Sequence, residues 1–252
     1  MSKKWRVVLV LSLILNLLII YVAYKALDYR SHVNFYLHKY IDAVNEIARL
    51  DVYAGENRLL QSDTTINNRV VFFGTQVIHG WDVAQSFPEY EAINRGVDGQ
   101  RAAGLILRMR SDVIDLSPEA VLIQISSYNF RAHNGSDEIL NYTLELLNMA
   151  ACHNIFPIAA TVITPGKEIL DTNEEIIAGE YKIRDTIEVF NNRLKEYCRQ
   201  NGYSIADFDS ILADTDGYMD DNLAATAIAP NDSGYVLMTL QTRQILENMK
   251  KR

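Results

Sequence analysis

The sequence predicts an α/β protein: a three-layer α/β/α sandwich around a five-stranded parallel sheet, preceded by an N-terminal transmembrane helix. Two observations support this prediction. Short, continuous apolar runs alternate with longer amphipathic segments from residue 69 onward, a pattern typical of parallel strands that helices cover on both faces. One long apolar run lies near the N-terminus, where a membrane anchor is expected.

The N-terminal apolar run extends from Val7 to Tyr24 and is interrupted only by Ser12 and Asn16. At about 1.5 Å per helical residue, it covers most of a hydrocarbon layer of about 30 Å. Three basic residues precede the run, Lys3, Lys4 and Arg6. Because a basic flank favours the cytoplasm, we expect a single-pass cell-membrane protein with a cytoplasmic N-terminus and its main domain in the periplasm or outside the cell. A cleaved signal peptide is the alternative.

Two segments connect the anchor to the main domain. From Ser31 to Leu50 apolar residues recur at helical spacing, which predicts an amphipathic helix that forms a stalk or packs on the domain. The mostly polar stretch from Glu56 to Asn68 is interpreted as a linker. The predicted organisation is a cytoplasmic tip and anchor (residues 1–28), a stalk helix and linker (29–68), and a globular domain (69–252).

In the globular domain, runs with strand character alternate with segments of helical periodicity. The predicted strands are Arg69–Phe73, Ala92–Arg95, Ala120–Ile125, Phe156–Val162 and Tyr203–Asp207. The predicted helices are Gln100–Leu116, Asp137–His153, Tyr181–Gln200 and Ser233–Met249. Proline and glycine lie where turns are expected, at Pro118, Pro165-Gly166 and Gly202. Because ligands bind at the carboxyl ends of strands in open α/β sheets, a site should lie in the loops after these strands.

Charge and cysteine content exclude some classes of function. The first thirty residues contain five basic and one acidic residue, a net charge of +4, so the total of −8 leaves −12 on the remainder. An acidic domain repels phosphate backbones, and we expect no nucleic-acid partner. The two cysteines, Cys152 and Cys198, lie on helix-like segments. We favour two unpaired buried thiols over a disulfide, since the sequence does not show that the two residues come within reach.

The acidic loop from Asp207 to Asp221 lacks the spacing of a calcium site. With Gly217 as the invariant glycine of an EF-hand frame, Leu212 takes the first ligand position and Leu223 the position of the closing glutamate. The sequence also lacks a zinc-ligand spacing and a glycine-rich phosphate loop. We therefore expect a solvated loop, no metal and no cofactor.

The loops after the predicted strands carry motifs in a fixed order. They are Phe73-Gly74-Thr75-Gln76 with Gly80-Trp81, Asn94-Arg95-Gly96-Val97-Asp98-Gly99-Gln100, Ser127-Tyr128-Asn129-Phe130 and Ala227-Ile228-Ala229-Pro230-Asn231-Asp232-Ser233-Gly234-Tyr235. In this order, over residues 69–247, they resemble the sequence blocks of the SGNH hydrolases, also called GDSL-type esterases and lipases. The resemblance implies an SGNH (flavodoxin-like) fold with its site at these loops.

Position by position, the resemblance implies that the reactive groups of the family are absent. The family's nucleophilic serine falls on Gln76, and the aspartate that precedes it falls on Thr75. The triad aspartate falls on Thr226 and the triad histidine on Ala229. No catalytic residue is then intact.

The resemblance also implies that the two oxyanion donors of the family remain. They correspond to the backbone N–H of Gly96 and the side-chain amide of Asn129. Such groups bind negative charge but transfer no proton. The implied ligand-binding residues are Thr75, Gln76, Gly96 and Asn129.

Loss of the triad predicts a pseudoenzyme that binds without hydrolysing. Removing such a triad costs on the order of 10⁶ in turnover, and an oxyanion hole alone retains about 10³ over water. The last of the five histidines is His153, so the C-terminal block contains no imidazole. Membrane-tethered SGNH proteins resemble enzymes that add or remove acyl groups on envelope polysaccharides and lipids, which makes an acylated glycan or lipid the expected ligand.

Two alternatives remain open. The first is a structural partner in a cell-envelope complex that uses its transmembrane and stalk helices as the interface; the polar Asn16 inside the apolar run is consistent with helix association. The second is an esterase with a relocated triad. Its candidate nucleophiles are Thr75, Ser126 and Ser127, and its candidate bases are His79 and His133.

Overall fold

The computed structural model describes residues 3–62, 68–130, 136–167 and 183–251. The chain divides into two compact units, Met1–Glu46 and Ile47–Arg252. The described helices are α1 (Lys3–Ala48), α2 (Ala54–Ser62), α3 (Gln76–His79), α4 (Val83–Ser86), α5 (Ala102–Asp112), α6 (Ser136–Cys152), α7 (Ile183–Asn201), α8 (Phe208–Leu212) and α9 (Asp232–Met249). The described strands are β1 (Arg69–Gly74), β2 (Glu91–Gly96), β3 (Ala120–Gln124), β4 (Phe156–Ala160), β5 (Ser204–Ala206), β6 (Ala224–Thr226) and β7 (Ala229–Pro230).

Five strands form one parallel sheet in the order β2-β1-β3-β4-β5. Its register aligns Gly74, the last residue of β1, with Gly96 of β2 and Gln124 of β3. The carboxyl ends of these three strands therefore meet at one edge of the sheet. Strands β6 and β7 form a separate antiparallel hairpin.

Both faces of the sheet are buried under helices. In β1, Val71 and Phe73 belong to a hydrophobic cluster that includes side chains of α5, α6 and α7. Val70 and Phe72 point to the other face and join a cluster with α3, α4, α8 and α9. Since successive side chains of a strand alternate between faces, burial of both faces explains the continuously apolar strand sequences. The predicted three-layer α/β/α fold is confirmed.

The first unit consists of the greater part of α1. This helix is continuous over 46 residues, so the anchor and the stalk, predicted as two helices, form one element. Its segment Lys3–Leu37 is the single one in the described ranges that is long and apolar enough to cross a membrane. A signal sequence near the N-terminus meets the same criteria of length and apolar composition, so the membrane anchor stays a prediction.

The segment before β1 belongs to the second unit. Helix α2 occupies most of the stretch interpreted from sequence as a linker, and residues 63–67 lie outside the described ranges. Asn57 of α2 is buried; its amide donates to Asp112 Oδ1 (2.6 Å) and accepts from Arg95 Nε (3.0 Å). The polar side chain of Asn57 therefore makes buried hydrogen bonds that join α2 to the rest of the domain, and the linker interpretation of α2 is wrong.

Most other element boundaries differ from the predicted ones by one or two residues. The largest difference follows α5, which ends at Asp112 and continues as a 3-10 turn, Ile114–Leu116. Ser117 ends that turn in the left-handed conformation, with φ of 49°. The predicted start of α7 lies in 168–182, outside the described ranges.

Candidate functional site

The site begins at the tight turn that joins β1 to α3. A Cβ atom on Gly74 would overlap the carbonyl oxygen of Gln124 on the neighbouring strand, so only glycine fits there. Thr75 follows with 1% exposure, and its Oγ1 accepts a hydrogen bond from the backbone N–H of Ser126 (2.9 Å). Thr75 thus joins the loop after β1 to the loop after β3.

Gln76 is the first residue of α3 and is half-buried. Its side-chain amide has no hydrogen-bond partner among the described residues. An amide presents both a donor and an acceptor, so at this position it can bind a ligand but cannot attack one. The structure therefore places an amide side chain where the resemblance puts the serine nucleophile.

The β6–β7 hairpin brings the other two triad positions to the same place. Thr226 and Ala229 are cross-strand partners in the hairpin, and α3 contacts β7. The positions that correspond to serine, aspartate and histidine therefore converge in space. Because they hold Gln76, Thr226 and Ala229, none of the three side chains can transfer a proton near neutral pH.

Small side chains around the hairpin leave a cavity of about 300 Å³. Its lining residues are Gly166, Asp221, Ala224, Ala225, Thr226 and Ala227. The backbone N–H of Gly166 donates to the carbonyl of Ala227 (2.8 Å), which ties the loop after β4 to the hairpin. The cavity thus lies directly beside Thr226, the position to which the resemblance assigns the triad aspartate.

Asn129 lies in the 3-10 turn that follows β3 and is 1% exposed. Its Oδ1 accepts from the backbone N–H of Ala102 at the start of α5 (2.8 Å), and its Nδ2 donates to the carbonyl of Ser126 (3.3 Å). These two bonds determine the orientation of the Asn129 amide. A second cavity, of about 130 Å³, is lined by Asn129 and by the exposed Arg101, a basic residue that the sequence interpretation did not include in the site.

The prediction that the N–H of Gly96 is an available oxyanion donor is wrong. This N–H donates to Asn94 Oδ1 (2.8 Å), while Asn94 Nδ2 donates to the carbonyls of Ile78 and Trp81 (2.7 and 2.8 Å). A Cβ on Gly96 would overlap the backbone of His79, so Gly96 lies packed beneath α3. In the same loop Gly99 is exposed, with φ of 70°. Gly99 is the second glycine of the Asn94–Gln100 motif, and the sequence interpretation did not include it in the site.

The described residues contain no hydrogen bond between an imidazole and a hydroxyl. His79 is exposed, and its Nδ1 lies 3.3 Å from the carbonyl oxygen of Gly96. His153 precedes β4 and therefore lies at the amino-terminal edge of the sheet. Ser126 and Ser127 are 2% and 7% exposed. His133, the other candidate base, lies outside the described ranges.

A half-buried tyrosine holds α3 in place. Tyr235 of α9 donates from its hydroxyl to the carbonyl of Val77 (2.9 Å), and its ring stacks on Trp81 with the centroids 5.8 Å apart. Burial raises the pKa of Tyr235 to about 12, so the hydroxyl stays protonated and remains a donor. The C-terminal helix thereby fixes the turn that carries Gln76.

A half-buried carboxylate supports the loop after β4. Asp209 accepts from the backbone N–H of Thr164 (2.7 Å) and from Asn191 Nδ2 (3.1 Å). Burial raises the pKa of Asp209 above its usual value. Both oxygens therefore have protein partners, and Asp209 has a structural role at the edge of the site.

Within the described residues, no group of three or more histidine, cysteine or acidic side chains could hold a metal ion. In the acidic loop, Lys167 Nζ pairs with Asp214 (3.1 Å) and Asp216 (2.6 Å), so a protein cation already occupies the carboxylates. Cys152 is exposed and Cys198 buried, and both are free thiols. Of the predicted buried pair, only Cys198 is buried.

A family model, described as the GDSL-like lipase/acylhydrolase family, matches residues 69–237 of this chain. The matched range runs from β1 into α9 and includes every loop of the site. No curated protein matches the chain at a significant level.

Solved structures share the fold. A GDSL-like lipase from Bacteroides thetaiotaomicron has a TM-score of 0.72 at 22% identity, with 81% of this chain and 99% of that chain covered. A proposed acylhydrolase from Bacteroides fragilis has a TM-score of 0.71 at 23% identity, with 80% and 97% covered. An acetyl-xylooligosaccharide esterase variant from Geobacillus Stearmophilus has a TM-score of 0.55 at 16% identity, with 71% and 93% covered. At these identities the likeness concerns the fold alone.

Proposed function

Because this chain belongs to the GDSL-like lipase/acylhydrolase family, we propose that it is a pseudoenzyme that binds an acylated glycan or lipid in the former active-site cleft. One observation carries the proposal. The positions that correspond to the nucleophile, the acid and the base converge in space, but they hold Gln76, Thr226 and Ala229. Hydrolysis by a serine triad needs an imidazole to take the serine proton, and these side chains supply neither group.

The geometry of the neighbouring hydroxyls also supports binding over a relocated triad. The Thr75 hydroxyl is buried and accepts from the backbone, as a capping residue does. His79 faces the Gly96 carbonyl and no described hydroxyl. A relocated nucleophile would need such a pair within hydrogen-bond reach.

Polar groups at the carboxyl edge of the sheet suit an ester or amide carbonyl. The Gln76 amide offers a donor and an acceptor, and the Asn129 amide is held in a fixed orientation by Ala102. Arg101 adds a positive charge and Glu138 a negative charge to the cavity that Asn129 lines. The separate cavity of about 300 Å³ beside Thr226 lies at the lower end of the range for small-molecule sites, which favours a short acyl group on a sugar or head group.

The ligand class rests on two further considerations. One fold neighbour is an acetyl-xylooligosaccharide esterase, an enzyme that acts on an acylated glycan. Helix α1 would hold this chain at the cell membrane with its N-terminus in the cytoplasm and the main domain in the periplasm or outside, since three basic residues precede the apolar segment.

Hydrolysis of p-nitrophenyl acetate by the purified second unit, residues 47–252, tests the loss of activity. We expect a rate within the background of the buffer. Activity that Thr75→Ala or Ser127→Ala abolishes would overturn the pseudoenzyme proposal, because it would identify a relocated nucleophile.

Calorimetric titration with acetylated xylo-oligosaccharide tests binding, with the deacetylated oligosaccharide as the matched ligand. We expect the acetylated form to bind more tightly and Gln76→Ala to weaken it by about 10-fold, the loss of one hydrogen bond of roughly 1.4 kcal/mol. Gln85→Ala is the control variant, because Gln85 is an exposed glutamine outside the cleft. Equal affinity for the two oligosaccharides, or equal effects of the two variants, would contradict the proposed site and favour the structural-partner alternative.

A further inference from the structure

Helix α1 carries one continuous stripe of residues spaced alternately four and three apart. These residues, which we call the seam, are Trp5, Leu9, Ser12, Asn16, Ile19, Ala23, Ala26, Arg30, Val33, Leu37, Tyr40 and Val44. A mean spacing of 3.5 residues is the heptad repeat of a left-handed coiled coil, with the seam at positions a and d. Because α1 is helical throughout this range, the seam lies along one side of a single helix.

In the membrane half of α1, the polar and small residues lie on the seam. Ser12 and Asn16 are the only two polar interruptions of the apolar run, and both belong to it, as does Ala23. Helix pairs in membranes pack through small residues and form hydrogen bonds between polar side chains. Leu11 and Leu18, off the seam, suit contact with lipid.

Asn16 has hydrogen-bonding capacity that its own helix does not use. Its Nδ2 donates to the carbonyl of Ser12 (2.9 Å), and its Oδ1 has no partner among the described residues. A polar atom without a partner in hydrocarbon costs free energy. A second Asn16 at the same depth would satisfy it, since an amide both donates and accepts.

From Val33 onward, after the apolar run Val7–Tyr24, the seam is apolar and the opposite side of the helix is polar. Val33, Leu37 and Tyr40 are 46%, 50% and 69% exposed, so the chain itself does not cover them. Among the residues whose side chains the structure describes, the heptad positions that face away from the seam carry Ser31, His32, Phe35 and Lys39, of which Phe35 alone is apolar. A helix that faced lipid or solvent on all sides would not show this division.

We propose that the seam is the interface of a parallel homodimer, a proposal that rests on α1 being the retained membrane anchor proposed above. The occupant is a second copy because two copies share one orientation in the membrane, which places identical seam positions at equal depth and Asn16 opposite Asn16. An asparagine at a single a position favours parallel dimers in register. Arg30, the one charged residue of the seam, lies just outside the apolar run, where its guanidinium can extend into the head-group layer.

The apolar area of the seam approaches that of a specific interface. Burying one apolar side chain stabilises by at least about 1.5 kcal/mol at roughly 25 cal/mol per Å², which corresponds to about 60 Å² for each side chain. The nine apolar seam positions on each of two copies then bury on the order of 1,100 Å², close to the lower end of the range of specific interfaces, about 1,200 Å², before the polar seam residues Ser12, Asn16 and Arg30 are added.

Disulfide crosslinking of the full chain in membranes tests the dimer, in a background that carries Cys152→Ser and Cys198→Ala. Single cysteines are placed on the seam (Ile19→Cys, Leu37→Cys) and off it (Leu18→Cys, Phe35→Cys), and mild oxidant is added. We expect crosslinked dimer at the two seam positions, at least about five-fold above the off-seam positions. Adding Asn16→Leu should weaken association about 5- to 30-fold, the equivalent of the roughly 1–2 kcal/mol of an interhelical hydrogen bond.

Two readouts separate failure of the dimer from failure of the anchor. Equal or absent crosslinking on both faces, with an N-terminal tag still present on the membrane-bound chain, would overturn the dimer and leave the proposed function intact. Loss of that tag with release of a soluble domain would overturn the anchor as well. A native mass in detergent above that of two copies would overturn the dimeric stoichiometry.

Discussion

The hydrogen bonds of Asn57 provide a quantitative test of the structure. Asn57 is 4% exposed and bridges two charged groups, Asp112 and Arg95. Arg95 is itself 1% exposed, and its Nη2 has no hydrogen-bond partner. Burial lowers the pKa of Arg95, because the charged guanidinium loses hydration on folding. Substitution Asn57→Ala removes one partner from each charge.

The expected loss follows from the number of bonds removed. A buried hydrogen bond to a charged group contributes about 1.5–3 kcal/mol, and Asn57→Ala removes two of them. Asp112 keeps its ion pair with Arg108, and Arg95 keeps its bond to Glu56, so the charges are not left isolated. We expect a loss of about 3–5 kcal/mol in the free energy of unfolding, equivalent to a fall in melting temperature of roughly 6–20 °C for a domain of this size.

Urea unfolding of the fragment 47–252, the second compact unit, measures this loss. The matched control is Arg58→Ala, on the same helix but exposed, where a change within about 0.5 kcal/mol is expected. If Asn57→Ala destabilises by less than 1 kcal/mol more than the control, α2 does not dock as described. In that case the fragment 68–252, which lacks α2, should have the same free energy of unfolding as the fragment 47–252.

Three other predictions concern thiols, packing and pH. In the native protein Ellman's reagent should label Cys152 rapidly and Cys198 only on unfolding, because burial raises the pKa of the Cys198 thiol to about 11; rapid labelling of two thiols would contradict its burial. Gly80→Ala should cost about 1–3 kcal/mol in unfolding free energy, because its Cβ would lie 2.7 Å from the tyrosine hydroxyl of α9. Gly55→Ala, with open space around the added Cβ, should be neutral or slightly stabilising. Burial raises the pKa of Asp209 in the folded state. The free energy of unfolding of the wild type, relative to that of Asp209→Asn, should therefore be greatest below about pH 4 and should fall as the pH rises through the folded-state pKa. A difference between the two proteins that does not change with pH would refute the raised pKa.

The sequence predicted the sheet because each strand is short, apolar and followed by a turn. Val70 to Phe73 is continuously apolar, and the structure buries both of its faces. Ordered motifs after four strands placed the site at the carboxyl edge, where Gln76, Asn129 and the hairpin are found. The sheet and the edge that carries the site could be predicted from local sequence patterns and motif order, without knowledge of long-range contacts.

The errors arose where a residue's role depends on distant partners. Asn57 looked like a linker residue because its hydrogen-bond partners lie 38 and 55 positions away. Gly96 looked like an available donor because the sequence does not show that Asn94 Oδ1 folds back onto its N–H. For Thr75, whose assignment to the ligand stays a prediction, the sequence likewise does not show that its hydroxyl caps the backbone of the loop after β3. Each of these roles depends on tertiary hydrogen bonds.

The contacts that hold the site loops together do not use the side chains of Gln76, Thr226 or Ala229. Thr75 binds the loop after β3, Asn129 binds the start of α5, Gly166 binds the hairpin, and Tyr235 binds α3. The framework of the cleft therefore does not depend on which side chains occupy these three positions. By the same reasoning, Gln76→Ala should change the free energy of unfolding by less than about 0.5 kcal/mol, and a larger loss would mean that Gln76 belongs to the framework and not to a ligand.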